Sequence, residues 1–553
     1  MYSNKLYDHP LFKTRNEHLS KDESVSLAYQ RARQVMRTYR LTASDVEHCS
    51  PRFWTMMTDP ICALDIAMFT ILAAHVGLTI GTLSRHLKAR PDLRPLVERL
   101  LRFDTVGIYL LTERGHGLDA FNIETTATKN RDGFILHTPR EEATKFMPAS
   151  TPAFGIPKVA LVNAKLIVNG EDRGARFFIV PICNEHEMYR GVYSTRLPTR
   201  SGTNPLDFSI TQFDNVQLPP SALVASDVTN FTRPERPLEA WWDEVRDESL
   251  SSSVGLTLGF SSNFKVWRIQ LGTMAVPAPW ISALKATAFI GGRYSLHRSI
   301  VGKQFDTPII SFRTQQWPVL NATAVALVMD NWFPRSIKYA MADTTDHRVR
   351  HAMSVIVKAT NDGKGVIIAE GDILTLCIRL FSELLLERYV VPMPAANSSL
   401  LAQHAVSLMD ENKDLLRSLK DHRGEGFNSL ILPQSQSVIE AIGHAMAYAA
   451  AKEANLPQPI LDIYECSVIR QDPAWYSESV GMSRMIQRRR EDAAITSALP
   501  QLEAYLDELC IKDYVSAPIV SDADWKAYVA SLHRYTGNAS PEPQQLPHFQ
   551  AVL

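Results

Sequence analysis

The sequence predicts an α+β protein with an N-terminal helical domain, a central small antiparallel β domain and C-terminal helical bundles. Residues 20–103 carry apolar side chains at helical spacing with few breakers, whereas residues 105–225 divide into short β-branched and aromatic runs separated by turns. Long helical runs then return after a polar linker that contains prolines. At about 100–200 residues per domain, 553 residues give three or four units. The predicted domains are 1–104 (helical), 105–228 (β), 229–395 (helical bundle) and 396–553 (second helical domain).

The N-terminal third contains two features that place helices. Ser20 precedes a helical run with Glu23 three positions on, the pattern of a capping box. The most apolar segment, 61–80, contains Asp65 and His75, so we interpret it as a buried helix and not as a membrane span.

The later elements follow from the same patterns. In the β domain, Asn-Gly at 169–170 predicts a hairpin turn, and Pro219 with Pro220 ends the last strand. The predicted strands are 158–162, 164–168 and 209–216, and the principal predicted helices further along are 281–301, 313–340 and 373–390.

Composition excludes several classes of function. Apolar residues make up 45% and charged residues 21%, which is typical of a soluble globular protein. A net charge of -1 gives no global field for nucleic acid or an anionic membrane. Six cysteines without a C-x-x-C pair argue against a zinc module or a disulfide framework. The final four residues, 550–553, are not a Ser-Lys-Leu type address, so the expected compartment is cytoplasmic, with the peroxisome as the alternative.

The chain changes from helical to β-type sequence at Leu-Thr-Glu-Arg-Gly-His-Gly, residues 111–117, followed by Glu-Thr-Thr-Ala-Thr at 124–128. Gly115 and Gly117 suggest a turn with φ > 0 in which the backbone approaches a flat or anionic ligand closely. On local sequence alone, an ordinary turn explains the same pattern.

Three further motifs continue the pattern: Gly-Phe-Ile-Leu at 133–136, Lys-Phe-Met-Pro at 145–148 and Phe-Phe-Ile-Val-Pro at 177–181. In this order the motifs resemble the middle domain of the acyl-CoA oxidases, flavoproteins of the acyl-CoA dehydrogenase superfamily. The resemblance extends from about residue 5 to 395. It implies FAD as the cofactor, an acyl-CoA or related acyl thioester as the substrate, O₂ as the electron acceptor giving H₂O₂, and a homodimer.

The resemblance also implies which residue removes the proton. Glu370 lies in a segment similar to the one that carries the family's catalytic base, which abstracts a proton from the α-carbon of the thioester. The apolar run before it would desolvate the carboxylate. Alternatively, Glu370 caps the helix that begins near Asp372, although Asp372 could itself be the cap.

The cofactor residues follow from the same resemblance. Thr112 matches the threonine that hydrogen-bonds the flavin, and Gly115 and Gly117 form the adjoining loop. Arg298 and Gln316 match residues that hold the pyrophosphate and adenosine part of FAD from a neighbouring subunit. A guanidinium suits pyrophosphate because it stays charged and donates two parallel bonds. Alternatively, Thr112 is a buried strand hydroxyl, and the other two lie on a solvated helix face.

Two departures from the family leave the activity open. Residues 146–150 read Phe-Met-Pro-Ala-Ser where the family has two tryptophans, a proline and paired glycines, in a segment that lies against the flavin. The stretch that joins Thr360 to Glu370 is shorter than the family's glycine-rich loop. Either Gly-Lys-Gly at 363–365 substitutes for that loop, or a stretch is missing from the sequence, or the second half of the cofactor site is damaged. Two alternatives therefore stand beside the oxidase: the same chemistry on a specialised biosynthetic thioester, or a non-catalytic homologue that serves as a binding or scaffold subunit.

Overall fold

The computed structural model describes residues 6–16, 19–117, 119, 122–200, 202–224, 268, 271–301, 306–342, 345–361, 372–419 and 424–538. Helices come first in this part of the chain, then nine strands between Val106 and Leu218, then helices again with one short hairpin among them. This order agrees with the α+β prediction, while the four domain boundaries stay predictions.

The N-terminal helices include the two predicted features. The Ser20 hydroxyl accepts a hydrogen bond from the Glu23 backbone N–H, and the Glu23 carboxylate accepts one from the Ser20 N–H, which confirms the capping box. The helices are α1 (Pro10–Lys13), α2 (Lys21–Tyr39), α3 (Ala43–Glu47), α4 (Pro51–Met57), α5 (Ile61–Leu64), α6 (Ile66–Leu72), α7 (Gly81–His86) and α8 (Arg94–Leu101). A π-helix, Ala73–Ile80, joins α6 to α7.

The continuous helix Ile66–His86 is the one described helix long and apolar enough to cross a membrane, but most of it is buried inside the protein. Asp65 caps its first turn and pairs with buried Arg31 at 2.8 Å. His75 donates from Nε2 to the Leu100 carbonyl at 3.0 Å and accepts at Nδ1 from the Gly107 N–H at 2.8 Å. The polar residues within the apolar run therefore connect this helix to its neighbours and to the first strand, as a core helix requires.

The strands form two sheets. One sheet has the order β1-β5-β2-β3-β9, with β6 on the other edge of β5, and the second has the order β4-β8-β7. The strands are β1 (Val106–Leu110), β2 (Thr126–Lys129), β3 (Phe134–His137), β4 (Lys145–Met147), β5 (Lys158–Val168), β6 (Glu171–Cys183), β7 (Val192–Arg196), β8 (Ser209–Phe213) and β9 (Val216–Leu218). Most pairs are antiparallel, as predicted, but β5 pairs in parallel with β1 and β2.

Two strand predictions need correction. The two runs at 158–168 form one strand, β5, because its residues pair without interruption of the strand across Asn163. The predicted strand 209–216 is divided between β8 and β9, because Asn215 adopts a left-handed conformation (φ 50°) in the turn between them. The hairpin turn is confirmed: Asn169 and Gly170 have φ of 52° and 81°, and they join β5 to β6.

The later helices agree with the prediction except at their ends, because α9 stops at His297 and α12 at Leu385. Their bounds are α9 (Ala278–His297), α10 (Arg313–Ala340), α11 (His347–Asn361), α12 (Ile373–Leu385), α13 (Leu400–Ser418), α14 (Ser435–Glu453), α15 (Gln458–Ile469), α16 (Pro473–Ser479), α17 (Arg484–Ala498), α18 (Leu502–Glu508) and α19 (Asp522–Ser531). A short hairpin, β10 (Ser299–Ile300) with β11 (Thr307–Pro308), lies between α9 and α10. One large hydrophobic core is shared by the helical layers, and a smaller one fills the β region.

Candidate functional site

The loop that follows β1 is described at residues 111–117, 119 and 122–125, and a buried ion pair holds this part from inside the protein. Neither Glu113 nor Lys145 has solvent-exposed side-chain surface. The Lys145 ammonium donates to a Glu113 carboxylate oxygen at 3.0 Å, to the Leu111 carbonyl at 3.1 Å and to the Asn163 carbonyl at 2.7 Å. Burial lowers the pKa of Lys145 to about 8, and the Glu113 charge opposes that shift.

The Glu113 carboxylate also fixes the far end of the loop. Its oxygens accept hydrogen bonds from the backbone N–H groups of Glu124, at 2.7 Å, and Thr125, at 3.0 Å. One buried side chain thus binds Lys145 and the residues that lead into β2. A carboxylate satisfied by an ammonium and two amides tolerates burial that an unpaired carboxylate would not.

Thr112 lies between these anchored positions, and its side chain is half-buried. Its carbonyl accepts a hydrogen bond from the Phe146 N–H at 3.0 Å. Within the described residues, neither its backbone N–H nor its hydroxyl forms a hydrogen bond with the protein. Thr112 therefore offers two donors to a ligand from a backbone that is fixed on both sides.

The glycines of this loop differ from the prediction. Neither Gly115 nor Gly117 has a left-handed φ, so the expectation that they supply such a turn is wrong. Gly115 is constrained by protein: its N–H donates to the Glu142 carbonyl at 2.8 Å, and an added Cβ would lie 2.6 Å from the Glu142 Cβ. Gly117 faces open space. Only the second glycine leaves room for a ligand at this point.

The outer side of the loop is closed by a second charged group. The Glu124 carboxylate accepts hydrogen bonds from the Arg140 guanidinium and from the His116 ring. The Arg140 bonds, followed by the His116 bond, hold the pKa of Glu124 at about 2. The loop is therefore secured by Glu113 on its buried side and by Glu124 on its exposed side.

The sequence analysis gave no role to Glu113, Glu124 or Lys145. Glu113 and Lys145 are 32 positions apart, and they meet only because an isolated antiparallel bridge joins the loop to β4. A usable sequence signal was the lysine itself, which precedes Phe-Met in a predicted β region where charge is unusual.

The structure brings Arg298 and the start of α10 together at one corner, here called the α9–α10 corner (residues 295–301 and 306–316). Arg298 is exposed and follows α9 directly; its N–H donates to the Tyr294 carbonyl at 2.9 Å. Its carbonyl accepts from the Ile309 N–H at 2.9 Å, at the base of the β10–β11 hairpin. Backbone bonds thus hold Arg298 at the corner while its charge faces solvent.

Gln316 lies at the same corner, but its side chain is buried and used by the protein. Its amide nitrogen donates to the Ile310 carbonyl at 2.9 Å and to the Ser311 carbonyl at 3.3 Å. Its oxygen accepts from Arg313 at 2.9 Å. These bonds close the turn before α10, whose N-cap residue, Phe312, provides no side-chain cap. A ligand could accept a hydrogen bond from this amide nitrogen only by displacing one of the two carbonyls.

Glu370 and Gly363–Gly365 lie outside the described residues. Asp372, in contrast, caps α12: its carboxylate accepts from the Thr375 N–H at 3.1 Å. The cap prediction for Asp372 is confirmed, so α12 does not need Glu370 for that purpose. Among the described residues, no group of three His, Cys, Asp or Glu side chains is arranged to hold a metal ion.

No protein-family model matches the chain. Peroxisomal acyl-coenzyme A oxidase 1 of Arabidopsis thaliana is 27% identical over 261 residues, which is 44% of this chain and 35% of that protein. Acyl-coenzyme A oxidase 1 of Yarrowia lipolytica is 37% identical over 117 residues, 20% of this chain and 17% of the relative. The crystal structure of acyl-CoA oxidase 1 from Yarrowia lipolytica superposes with a TM-score of 0.76 at 16% identity, covering 98% of this chain and 90% of that one. The chain is related to the acyl-CoA oxidases.

The oxidase fold therefore extends over nearly the whole chain, whereas the sequence match spans about a third of the length of the first Arabidopsis relative. Acyl-CoA oxidase-2 of Caenorhabditis elegans, solved bound with FAD, ascaroside-CoA and ATP, shares this fold with a TM-score of 0.70 at 14% identity over 96% of this chain and 89% of that one. The predicted resemblance and fold class are confirmed.

The segment in which the chain departs from the oxidase pattern is well supported by the β region. The Ser150 hydroxyl, fully buried, lies 2.7 Å from the hydroxyls of Ser194 and Thr211. The next residue, Thr151, donates to Asp207 at 2.6 Å, and Asp207 pairs with fully buried Lys158 at 2.8 Å. The end of the altered segment and the residue that follows it are therefore held by buried polar contacts.

Proposed function

We propose that the protein is an FAD-dependent acyl-CoA oxidase that converts an acyl-CoA thioester into its trans-2-enoyl form. The reaction removes a proton from the α-carbon and a hydride from the β-carbon, and the two electrons then reduce O₂ to H₂O₂. The observation that carries the proposal is Thr112, which presents two unused donors from an immobilised loop in an acyl-CoA oxidase fold.

FAD, when bound, would supply the hydride acceptor. Thr112 is proposed to donate hydrogen bonds to the flavin, with Gly115 and Gly117 shaping the adjoining loop. Arg298 is proposed to bind the pyrophosphate across a homodimer, since its charge is exposed and its backbone is fixed. Gln316 is proposed to serve the same ADP part by holding the turn beside Arg298, because its amide already binds that turn.

Glu370 is proposed as the base that takes the α-proton, a role that rests on the resemblance alone. Its neighbourhood supports the assignment in one respect: Asp372 already caps α12, so the carboxylate at 370 is not needed for the helix. A carboxylate that acts as a base in a site without bulk water contributes roughly 100- to 10,000-fold to the rate.

A specialised acyl thioester is the second candidate substrate. It is favoured by the ordered but altered segment 146–150, in which Ser150 is fixed by buried hydroxyls and Phe146 keeps 38% of its surface exposed. The chemistry would be the same. As to the compartment, the cytoplasmic prediction gains no support from relatives, several of which are named as peroxisomal.

Purification with absorbance spectroscopy tests the proposal. We expect a yellow protein whose flavin band bleaches when acyl-CoA is added without O₂ and recovers, with release of H₂O₂, when air is admitted. Glu370→Gln should keep FAD and lose at least about 100-fold in turnover. Asp372→Asn is the matched control, because it alters only a helix cap two positions away. A colourless protein that cannot be reconstituted with FAD would refute the enzyme and favour the scaffold alternative.

A further inference from the structure

We propose that Lys145 and Glu113 are positioning residues that fix the two free donors of Thr112 toward the flavin. This inference rests on the proposed function, because it names how the protein prepares the same site. It concerns a pair whose side chains have no exposed surface, so we expect its effect to pass through Thr112.

The contacts converge on one residue from both sides. The Lys145 ammonium binds the Leu111 carbonyl and the Glu113 carboxylate, and the next residue, Phe146, binds the Thr112 carbonyl. The carbonyls of Leu111 and Thr112 thus bind β4, and the Glu113 carboxylate binds both β4 and the residues that lead into β2. The N–H and the hydroxyl of Thr112 have no partner among the described residues. A donor on a fixed backbone binds an acceptor without first losing conformational freedom.

Burying this ion pair costs more free energy than burying a contact between apolar side chains would. Removing a lysine and a glutamate from water is expensive, and a well-packed apolar pair of similar volume is often as stable. A lysine is useful at this position if the loop must keep a fixed geometry, because an ammonium with three donors can hold three acceptors at once. Here those acceptors come from the loop, Glu113 and Leu111, and from β5, at Asn163.

Arg31 and Asp65 provide a matched comparison. They form a similarly buried pair at 2.8 Å, but they join α2 to the start of α6 in the N-terminal helices. If both pairs only stabilise the fold, breaking either one should have the same kind of effect. If the proposal is correct, only the pair at 113 and 145 should affect the loop and the cofactor.

The test uses the full chain with Lys145→Met, compared with Arg31→Met, and two measurements. Hydrogen exchange of the FAD-free protein should show faster amide exchange over residues 111–117 in Lys145→Met and no change there in Arg31→Met. The dissociation constant for FAD, measured by quenching of flavin fluorescence, should rise about tenfold or more in Lys145→Met, equivalent to about 1.4 kcal/mol, and less than about twofold in Arg31→Met.

The double variant Glu113→Gln with Lys145→Met removes both charges, so it tests the proposal if Lys145→Met alone fails to fold. It should recover thermal stability but keep fast loop exchange and weak FAD binding. Unchanged FAD affinity in a folded variant that has lost the pair would overturn the positioning role. Wild-type protein that binds no FAD while the loop still loosens in the variants would refute the proposed function and leave only the mechanical role of the pair.

Discussion

The two regions proposed to hold FAD are built on opposite principles. The described part of the loop, residues 111–117 and 122–125, is fixed on its inner side by buried charges, and the donors of Thr112 that it leaves free are neutral. The α9–α10 corner is fixed by backbone bonds and the buried amide of Gln316, and the group it leaves free, Arg298, is charged and exposed. A buried ion pair therefore holds the first region, whereas the second region leaves a charged side chain in solvent, where a ligand can reach it.

The contrast suggests different tasks for the two regions: the loop would orient the flavin ring, and the corner would attract the phosphates. Neutral donors on a rigid loop have short range and strict geometry, so they suit the orientation of a flat ring. An exposed guanidinium acts over a longer range, tolerates movement and is weakened by salt, so it suits the capture of a phosphate group. Substitutions of the buried charges in the loop should therefore reduce both stability and cofactor binding, whereas loss of the exposed charge at the corner should reduce cofactor binding alone.

The largest effect should come from Glu113→Gln. The change leaves the Lys145 ammonium buried without its counter-charge, which costs about 3–5 kcal/mol of unfolding free energy. Urea denaturation at pH 7 measures it.

Asp214→Asn is the control, since that carboxylate is exposed and we expect a change below about 0.5 kcal/mol. Burial already lowers the pKa of Lys145, so in Glu113→Gln the ammonium can lose its proton at alkaline pH. The difference in unfolding free energy between this variant and the wild type should therefore shrink as pH rises from 7 to 10. A deficit that is independent of pH would contradict this account of the loop.

Low pH should reduce the free energy of unfolding, because His75 is buried in its neutral form beside β1. Burial lowers the pKa of His75 to about 4, and its neutral ring holds Gly107 at the start of β1. The unfolded ring titrates near 6.5, so between these values only the unfolded chain takes up the proton. Stability present above pH 6.5 is therefore lost as pH falls to 4, by about 3 kcal/mol at most.

The pH dependence of His75→Gln isolates this contribution. His86 and His444 also have a pKa lowered to about 4 by burial, so the wild-type protein loses stability from several sites. The variant should lose less between pH 7 and 4.5 than the wild type, by about 2 kcal/mol, in urea denaturation. Equal slopes would show that His75 is not held neutral.

Most of the architecture could be predicted because it depends on local patterns. The capping box at Ser20, the Asn169–Gly170 turn and the helix at 313–340 each have a periodicity or a turn signal in adjacent residues. The buried helix was recognisable for a related reason: Asp65 and His75 interrupt an apolar run in a way that no membrane span favours.

The candidate site was harder to predict from the sequence, because its residues come from distant segments of the chain. The contact of Glu113 with Lys145 depends on β4 lying beside the loop, and nothing in either segment specifies that neighbour. Gly115 was recognised as important for the wrong reason: it makes room for the Glu142 backbone and side chain, and it does not supply a positive φ. Gln316 was predicted to bind the cofactor because of its motif, whereas its hydrogen bonds to the carbonyls of Ile310 and Ser311 could be recognised only in the structure.

At the corner, Arg298→Gln should affect FAD affinity without affecting stability. Loss of the charge should raise the dissociation constant for FAD by about 10- to 100-fold at low salt, because charge-assisted bonds to phosphate are worth about 1.5–3 kcal/mol. The difference from the wild type should shrink as the salt concentration increases, since screening weakens the exposed guanidinium. Flavin fluorescence titrations at two salt concentrations measure both. Wild-type affinity at low salt would remove Arg298 from the site.

Gln316→Leu should give the smallest effect and decides how the corner works. Leucine fills similar volume but leaves the Ile310 and Ser311 carbonyls without their donor, which should cost about 1 kcal/mol of unfolding free energy. FAD affinity should fall less than in Arg298→Gln, because the proposed role of Gln316 is to hold the turn. Gln315→Leu is the control: it removes one bond to Ser295 from the same helix start. If Gln316→Leu weakens FAD binding as much as Arg298→Gln while stability is unchanged, the amide contacts the cofactor directly, and the corner displays two binding groups and not one.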